Sequence, residues 1–232
     1  MDHRHDQITF LGNHRRVPLT RDAGRSAFTL IEMLVVMTII SLLAGLTLVG
    51  VQKAREAGYE NVVKSDVSSL KSDIEGFRNA MGDYPPSSLT DIKIKGNGIN
   101  DGNESLFAFL LTKKLGGPFA SDLREDRWTN LDNDELTARQ AKTIQQEIDW
   151  TRGNNQLLEY VDFFGTPFIY LHNRDYETRF KYRDAEGNTF EVAAQKNPAT
   201  GTYYAPNSFQ LWSLGPDGKN QNGEGDDIVS WR

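Results

Sequence analysis

Three aspartates stand close together near the end of the chain. Asp217, Asp226 and Asp227 lie in SLGPDGKNQNGEGDDIVSW, residues 213–231. The stretch is rich in Gly and Asn and bracketed by carboxylates, an arrangement that suits a hard cation. Ca²⁺ takes about six to eight oxygens from carboxylates and carbonyls in a flexible cage. Without a cation these acids would repel one another across a short loop; the plainer alternative is a solvated acidic turn. The loop is not an EF-hand. Counting from Asp217, the third and fifth positions are Lys219 and Gln221, and no Gly is sixth. A second stretch, GNGINDGNE at residues 96–104, is also oxygen-rich. It reads as a plain loop, with a second cation the lesser alternative.

Other chemistry has little material. The four histidines are His3, His5, His14 and His172, and cysteine is absent. Three of these histidines precede the long apolar stretch, so the rest of the chain keeps one. A histidine-based zinc site, a Ser-His-Asp triad and thiolate chemistry are all poorly supplied. Asp149, Glu159 and Asp162 are scattered acids that read as solvated surface, with no defined acid/base pair among them. A catalytic function is not expected.

One further acid is conspicuous. Glu32 interrupts AFTLIEMLVVMTIISLLAGLTLVG, residues 27–50. A carboxylate at the centre of a membrane helix costs about 2.5–3.5 kcal/mol on insertion scales, so an acid kept there needs a partner.

The elements that must position these residues follow from charge and periodicity. Residues 1–27 are polar and carry Arg15, Arg16, Arg21 and Arg25; they read as a disordered or processed leader. Residues 28–51 are long enough to span a bilayer at roughly 20 residues per crossing, and the preceding arginines favour a cytoplasmic N-terminus. Beyond the apolar run, Val63, Val67, Leu70, Ile74, Phe77 and Met81 recur at spacings of four and three, an amphipathic stripe over residues 52–82. Gly82 and Tyr84-Pro85-Pro86 supply the stop. One helix from about Phe28 to Met81, on the order of 80 Å long, is predicted, with a globular head at 83–232 on the apolar face of its second half.

Within the head, residues 87–103 read as loop. SLFAFLLTKKLGGP reads as a short helix ended by Gly116-Gly117-Pro118. DELTARQAKTIQQEIDW reads as a surface helix capped by Asp132 or Asp134, with a thin apolar face of Leu136, Ala141, Ile144 and Ile148. LLEYVDF, PFIYLH, RFKYRD, TFEVAA and FQLWSLG read as strands, with DAEGN a hairpin turn between the third and fourth. The fold class is α+β: a long N-terminal helix and a head built on a small antiparallel sheet. The net charge of −6 lacks the clustered Lys/Arg of a nucleic-acid groove, so no nucleic-acid partner is expected.

Gly24-Arg25-Ser26-Ala27 followed by Phe28-Thr29-Leu30-Ile31-Glu32 resembles the prepilin cleavage and methylation motif of type IV pilins and type II secretion pseudopilins. That resemblance implies cleavage by a prepilin peptidase between Ala27 and Phe28, N-methylation of Phe28, and Glu32 as the fifth mature residue, an assembly residue. Ala27 stands where the family usually has Gly. In a staggered stack of helices, Glu32 of one subunit would meet the Phe28 amine of its neighbour. GDYPP at residues 82–86 resembles the Tyr-Pro that commonly follows the family's helix. DFFGTPFIY at 162–170 resembles its Asp-x-Trp-Gly-x-Pro-x-x-Tyr segment, with Phe164 in place of Trp. Val49 stands where Pro is frequent, between Gly45 and Gly50.

The tail resembles the calcium loop of the type II secretion major pseudopilin. This implies Leu214, Asp217, Asp226 and Asp227 as Ca²⁺ ligands, with a mid-loop carbonyl near Lys219 or Glu224. Residues 87–160 lie outside the resemblance and read as an enlarged insertion. The function implied is a structural pseudopilus subunit. It would be single-pass in the bacterial inner membrane with a periplasmic head, and it would polymerise with itself and other pseudopilins on an inner-membrane assembly platform. Two alternatives are a type IV pilus pilin, made less attractive by the missing cysteines, and a membrane-anchored calcium-dependent binding module.

Overall fold

A computed structural model describes residues 28–148 and 155–232. The expected leader with Ala27, and Asp149, lie outside the described residues, as do the side chains of Val49 and Ile148. The chain divides into two compact units, Met1–Val49 and Gly50–Arg232.

Helix α1 spans Leu30–Met81. In the first unit its described large apolar side chains are exposed all round, from 44% at Met33 and Val36 to 84% at Leu30. This segment is long and apolar enough to cross a membrane. In the second unit the predicted stripe is present. Val63, Val67, Leu70, Ile74 and Phe77 are buried in the main core, and Met81 packs against it. Each such side chain contributes about 1.5–3 kcal/mol of apolar burial. The opposite face is polar, with Lys64 paired to Glu60 at 2.8 Å. The helix stops at Gly82, whose φ is +88° and whose N–H donates to the Arg78 carbonyl at 2.8 Å. GDYPP then does more than stop the helix. The Pro85 carbonyl accepts from the Tyr170 hydroxyl at 2.6 Å, and the Pro86 carbonyl accepts from the Ser105 hydroxyl at 2.7 Å.

Among the described residues the head holds seven short strands: β1 (Trp128–Thr129), β2 (Glu159–Tyr160), β3 (Ile169–His172), β4 (Phe180–Arg183), β5 (Thr189–Val192), β6 (Phe209–Ser213) and β7 (Ile228–Val229). The main sheet is antiparallel in the order β3-β6-β7, and β1-β2 and β4-β5 form separate two-stranded sheets. Ile169 pairs with Trp212 and Tyr170 with Leu211. The period of two divides the sheet between two cores. Tyr170, Phe209 and Leu211 belong to the main core with α1, whereas Ile169, Leu171 and Trp212 join Tyr182 and Val192 of the β4–β5 hairpin. The five predicted strands and the DAEGN turn are present, and the fold is α+β. The strand read over LLEYVDF is reduced to the two-residue β2, and the two-residue β1 and β7 were not predicted.

Residues 87–103 are not the expected loop. A 3₁₀ turn occupies Leu89–Ile92, and helix α2 (Asp101–Leu110) begins earlier and ends earlier than SLFAFLLTKKLGGP suggested. Its first turn is polar yet buried, so apolar periodicity could not reveal it. Asn103 donates to the Tyr160 carbonyl at 3.0 Å and the Phe168 carbonyl at 2.7 Å, and accepts from the Tyr160 N–H at 2.8 Å. At Gly102 a Cβ would come within 2.4 Å of both the Tyr170 carbonyl oxygen and the Tyr182 hydroxyl. Helix α3 (Ala138–Ile148) starts later than expected and is not capped by Asp132 or Asp134. Thr137 and Gln140 close its first turn reciprocally: the Thr137 N–H donates to Gln140 Oε1 at 3.0 Å, and the Gln140 N–H donates to Thr137 Oγ1 at 3.4 Å. Leu136 and Ile144 form a satellite core with Leu89, Ile94, Ala108 and Leu157, and Ala141 packs on it.

Candidate assembly and calcium sites

The start of α1 is organised by Thr29. Its N–H and its hydroxyl donate to Glu32 Oε2 at 2.7 and 2.9 Å, and the Glu32 N–H donates to Thr29 Oγ1 at 3.2 Å. This Thr-x-x-Glu arrangement is a capping box, in which two helix-terminal N–H groups are satisfied reciprocally. The carboxylate is also placed at the positive end of the helix dipole. Phe28 precedes the box and is 71% exposed. The pattern was readable in Thr29 and Glu32, where only the acid had been singled out.

The tail acids are brought into one loop between β6 and β7. Asp226 Oδ2 accepts the Asp217 N–H at 3.0 Å. Asp227 Oδ2 accepts the N–H groups of Gln221 and Gly223 at 3.0 and 2.7 Å, while its Oδ1 is buried with no hydrogen-bond partner. Burial, with the charges of Asp226 and Asp217 added, pushes Asp227 up to about 6 against those two hydrogen bonds. Gln221 is the residue that sequence reasoning missed. Its amide donates to Asp217 Oδ2 at 2.9 Å, and its Oε1 accepts the Asp226 N–H at 2.9 Å. Leu214 is fully buried at the loop's start. An orphaned buried oxygen among mutually repelling carboxylates, with no nitrogen or sulfur ligand, fits a calcium ion. Beyond the loop, Lys71 of α1 donates to the Ser230 carbonyl at 2.9 Å, so the tail is tied to the helix.

Residues 23–48 match the family described as Prokaryotic N-terminal methylation motif. No curated protein and no solved structure matches the chain. The matched span contains Ala27, Phe28, Thr29 and Glu32 together with most of the exposed apolar helix. The prepilin-type methylation motif and that helix support a pilin-like prepilin and are compatible with a single-pass membrane anchor.

Two acids expected on the surface of the head are buried instead. Glu159 is fully enclosed; its Oε1 accepts from Asn100 Nδ2 at 2.8 Å and its Oε2 from the Leu131 N–H at 2.9 Å. Asp162 organises the DFFGTPFIY turn. It accepts the N–H groups of Phe164 and Thr166 at 2.8 and 3.0 Å, and the hydroxyls of Thr166 and Ser213 at 2.7 and 2.5 Å. Burial raises the pKa of both, and these donors oppose it. Asp162 therefore joins the turn before β3 to the end of β6, a structural role consistent with the core reading of that segment. His172 is similarly committed: its Nε2 lies 3.2 Å from Asp83 Oδ1, and its Nδ1 accepts the Arg174 N–H at 3.1 Å.

Proposed function

We infer that the chain is a structural subunit of a type II secretion pseudopilus. The observation that carries the reading is the prepilin-type motif at residues 23–48 on an apolar helix whose side chains are exposed. A helix with large apolar side chains exposed on every side requires a bilayer or other helices around it. In the proposed sequence the subunit waits in the inner membrane with its head in the periplasm. A prepilin peptidase removes residues 1–27, and Phe28 becomes the methylated N-terminus. The assembly platform then draws the helix into a filament with copies of itself and with other pseudopilins. There Glu32 pairs with the Phe28 amine of the next subunit, so that a buried acid is matched and not stranded.

The tail favours secretion over a type IV pilus. Leu214 through its carbonyl, and Asp217, Asp226 and Asp227 through their carboxylates, would hold Ca²⁺. The ion supplies the positive charge that lets three acids share one loop. The loop leads directly into β7, an edge of the main sheet, so holding it closed keeps β7 and the Ser230 link to Lys71 in register. The absence of cysteine agrees with this choice.

The reading is tested by deleting the gene in its host and restoring it. Loss of extracellular enzyme release, with the folded cargo retained inside the outer membrane, is the expected result. Loss of surface pili or of DNA uptake with secretion intact would favour the pilus alternative.

A further inference from the structure

The oxygen-rich stretch before α2 and the loop before α3 converge. One carboxylate oxygen from each of Glu104, Asp132 and Asp134 lies within 4.8 Å of the other two. Glu104 is 2% exposed and Asp132 8%. Glu104 Oε1, Asp132 Oδ2 and Asp134 Oδ1 are buried and have no hydrogen-bond partner. A Cβ placed on Gly96 would lie 3.1 Å from Asp101 Oδ1, 3.7 Å from Glu104 Oε2 and 3.8 Å from Asp134 Oδ2. The Gly96 backbone is thus one wall of a small cradle, with oxygens from three acids facing the same point.

The charges acting on Glu104 are those of Asp134, Glu159, Asp132 and Asp101, all acidic. Glu159 has both oxygens engaged by Asn100 and Leu131; it backs the cluster. The arms are held rigidly. Asn130 clamps Asp134, accepting its N–H at 3.2 Å and donating to its carbonyl at 2.9 Å. Asn103, beside Glu104, is locked to Tyr160 and Phe168.

The Asp134 N–H reaches Asp132 Oδ1 at 3.3 Å, but one buried oxygen of each acid is left without a donor, an unfavourable arrangement relieved by a proton or a cation. Here the ligand set is oxygen only, which excludes a soft or imidazole-preferring metal. Oxygens on opposite sides of Ca²⁺ stand about 4.6–5.2 Å apart, twice its usual bond length of about 2.3–2.6 Å. The three oxygens, all within 4.8 Å of one another, are therefore close enough to share one such ion. Mg²⁺ demands a near-ideal octahedron and gives up its water reluctantly, so an all-carboxylate cradle suits Ca²⁺ better.

We propose that Glu104, Asp132 and Asp134, with Asp101 at the rim, bind a calcium-class divalent cation that pins the loop before α3 onto the start of α2. This site is separate from the tail loop, does not depend on the assembly reading, and gives part of the 87–160 region a role of its own.

The test uses the full chain in detergent carrying Asp217→Asn and Asp227→Asn, so that the tail cannot contribute. CaCl₂ is titrated by calorimetry and by thermal melting, with MgCl₂ as comparison. The expected result is about one Ca²⁺ per chain and a rise in melting temperature of roughly 5–10 °C at a hundredfold excess over Kd. Glu104→Gln and Asp134→Asn should each abolish both effects while melting at or above the calcium-free parent, because a neutral side chain relieves the repulsion. If the tail variants do not fold, a difference of one Ca²⁺ per chain between wild type and Glu104→Gln carries the same decision. A folded chain indifferent to millimolar calcium, melting only according to pH, would overturn the site. So would calcium binding that survives both substitutions.

Discussion

Thr29 and Glu32 cap each other at the start of α1: the threonine hydroxyl donates to the carboxylate at 2.9 Å and accepts the Glu32 N–H at 3.2 Å. An acid that looks costly in an apolar segment thus has a local partner before assembly. This role in closing the helix end is separable from the proposed one, pairing with a neighbour's amine.

Glutamine can close a capping box but cannot form an ion pair. Glu32→Gln and Glu32→Ala should both insert into the membrane at wild-type levels, and both should fail to assemble filaments. Thr29→Ala, which costs about 1 kcal/mol at a helix N-cap, should still assemble. Electron microscopy of overexpressing cells reads the outcome. Filaments from Glu32→Gln would assign the acid to capping alone.

The calcium site proposed at the tail is separable from the one proposed at α2. In the Glu104→Gln chain, added Ca²⁺ should still raise the melting temperature, through Asp217, Asp226 and Asp227. Adding Asp227→Asn should remove that rise, because it neutralises the residue with the orphaned buried oxygen. A rise that persists in the double variant would place calcium elsewhere.

Asp73 predicts a pH effect. Burial, and then the charge of Asp122, raises it from 3.8 to about 6. The folded chain therefore holds this proton more tightly than the unfolded chain. Its contribution to stability falls as pH rises from about 4 to about 6 and is flat above that. Asp73→Asn should match wild type near pH 4 and melt progressively higher than wild type up to pH 6, with a constant difference beyond. Melting curves across pH 4–8 check this; an equal difference at both ends would contradict it.

Gly102 is required by close approach. Gly102→Ala places a methyl 2.4 Å from the Tyr170 carbonyl oxygen and the Tyr182 hydroxyl. A loss of about 1–3 kcal/mol, typical of overpacking, is expected in denaturant unfolding, although alanine is the better helix former. A stabilised variant would show that α2 can move away from β3.

The elements that announce themselves by period were legible in the sequence: the Val63–Met81 stripe, the five longer strand patterns and the DAEGN hairpin. What escaped was organised by polar contacts. Asn100, Asn103, Glu104 and Ser105 are buried on a helix whose start looked like loop, because hydrogen bonds and not apolar side chains hold it in place. Asp132 and Asp134 looked like a helix cap, and only the folded chain brings them to Glu104, far away in sequence. Gln221 sits among the tail acids for the same reason: nothing in its type or spacing marks it as their common partner.

The central claim is that α1 belongs to a processed, polymerising subunit. It is tested most directly by mass spectrometry of the N-terminal peptide of the protein purified from a host with a prepilin peptidase. The account predicts a chain beginning at Phe28 and heavier by one methyl group, with residues 1–27 absent. A chain that retains those residues, or begins elsewhere with an unmodified amine, would contradict it.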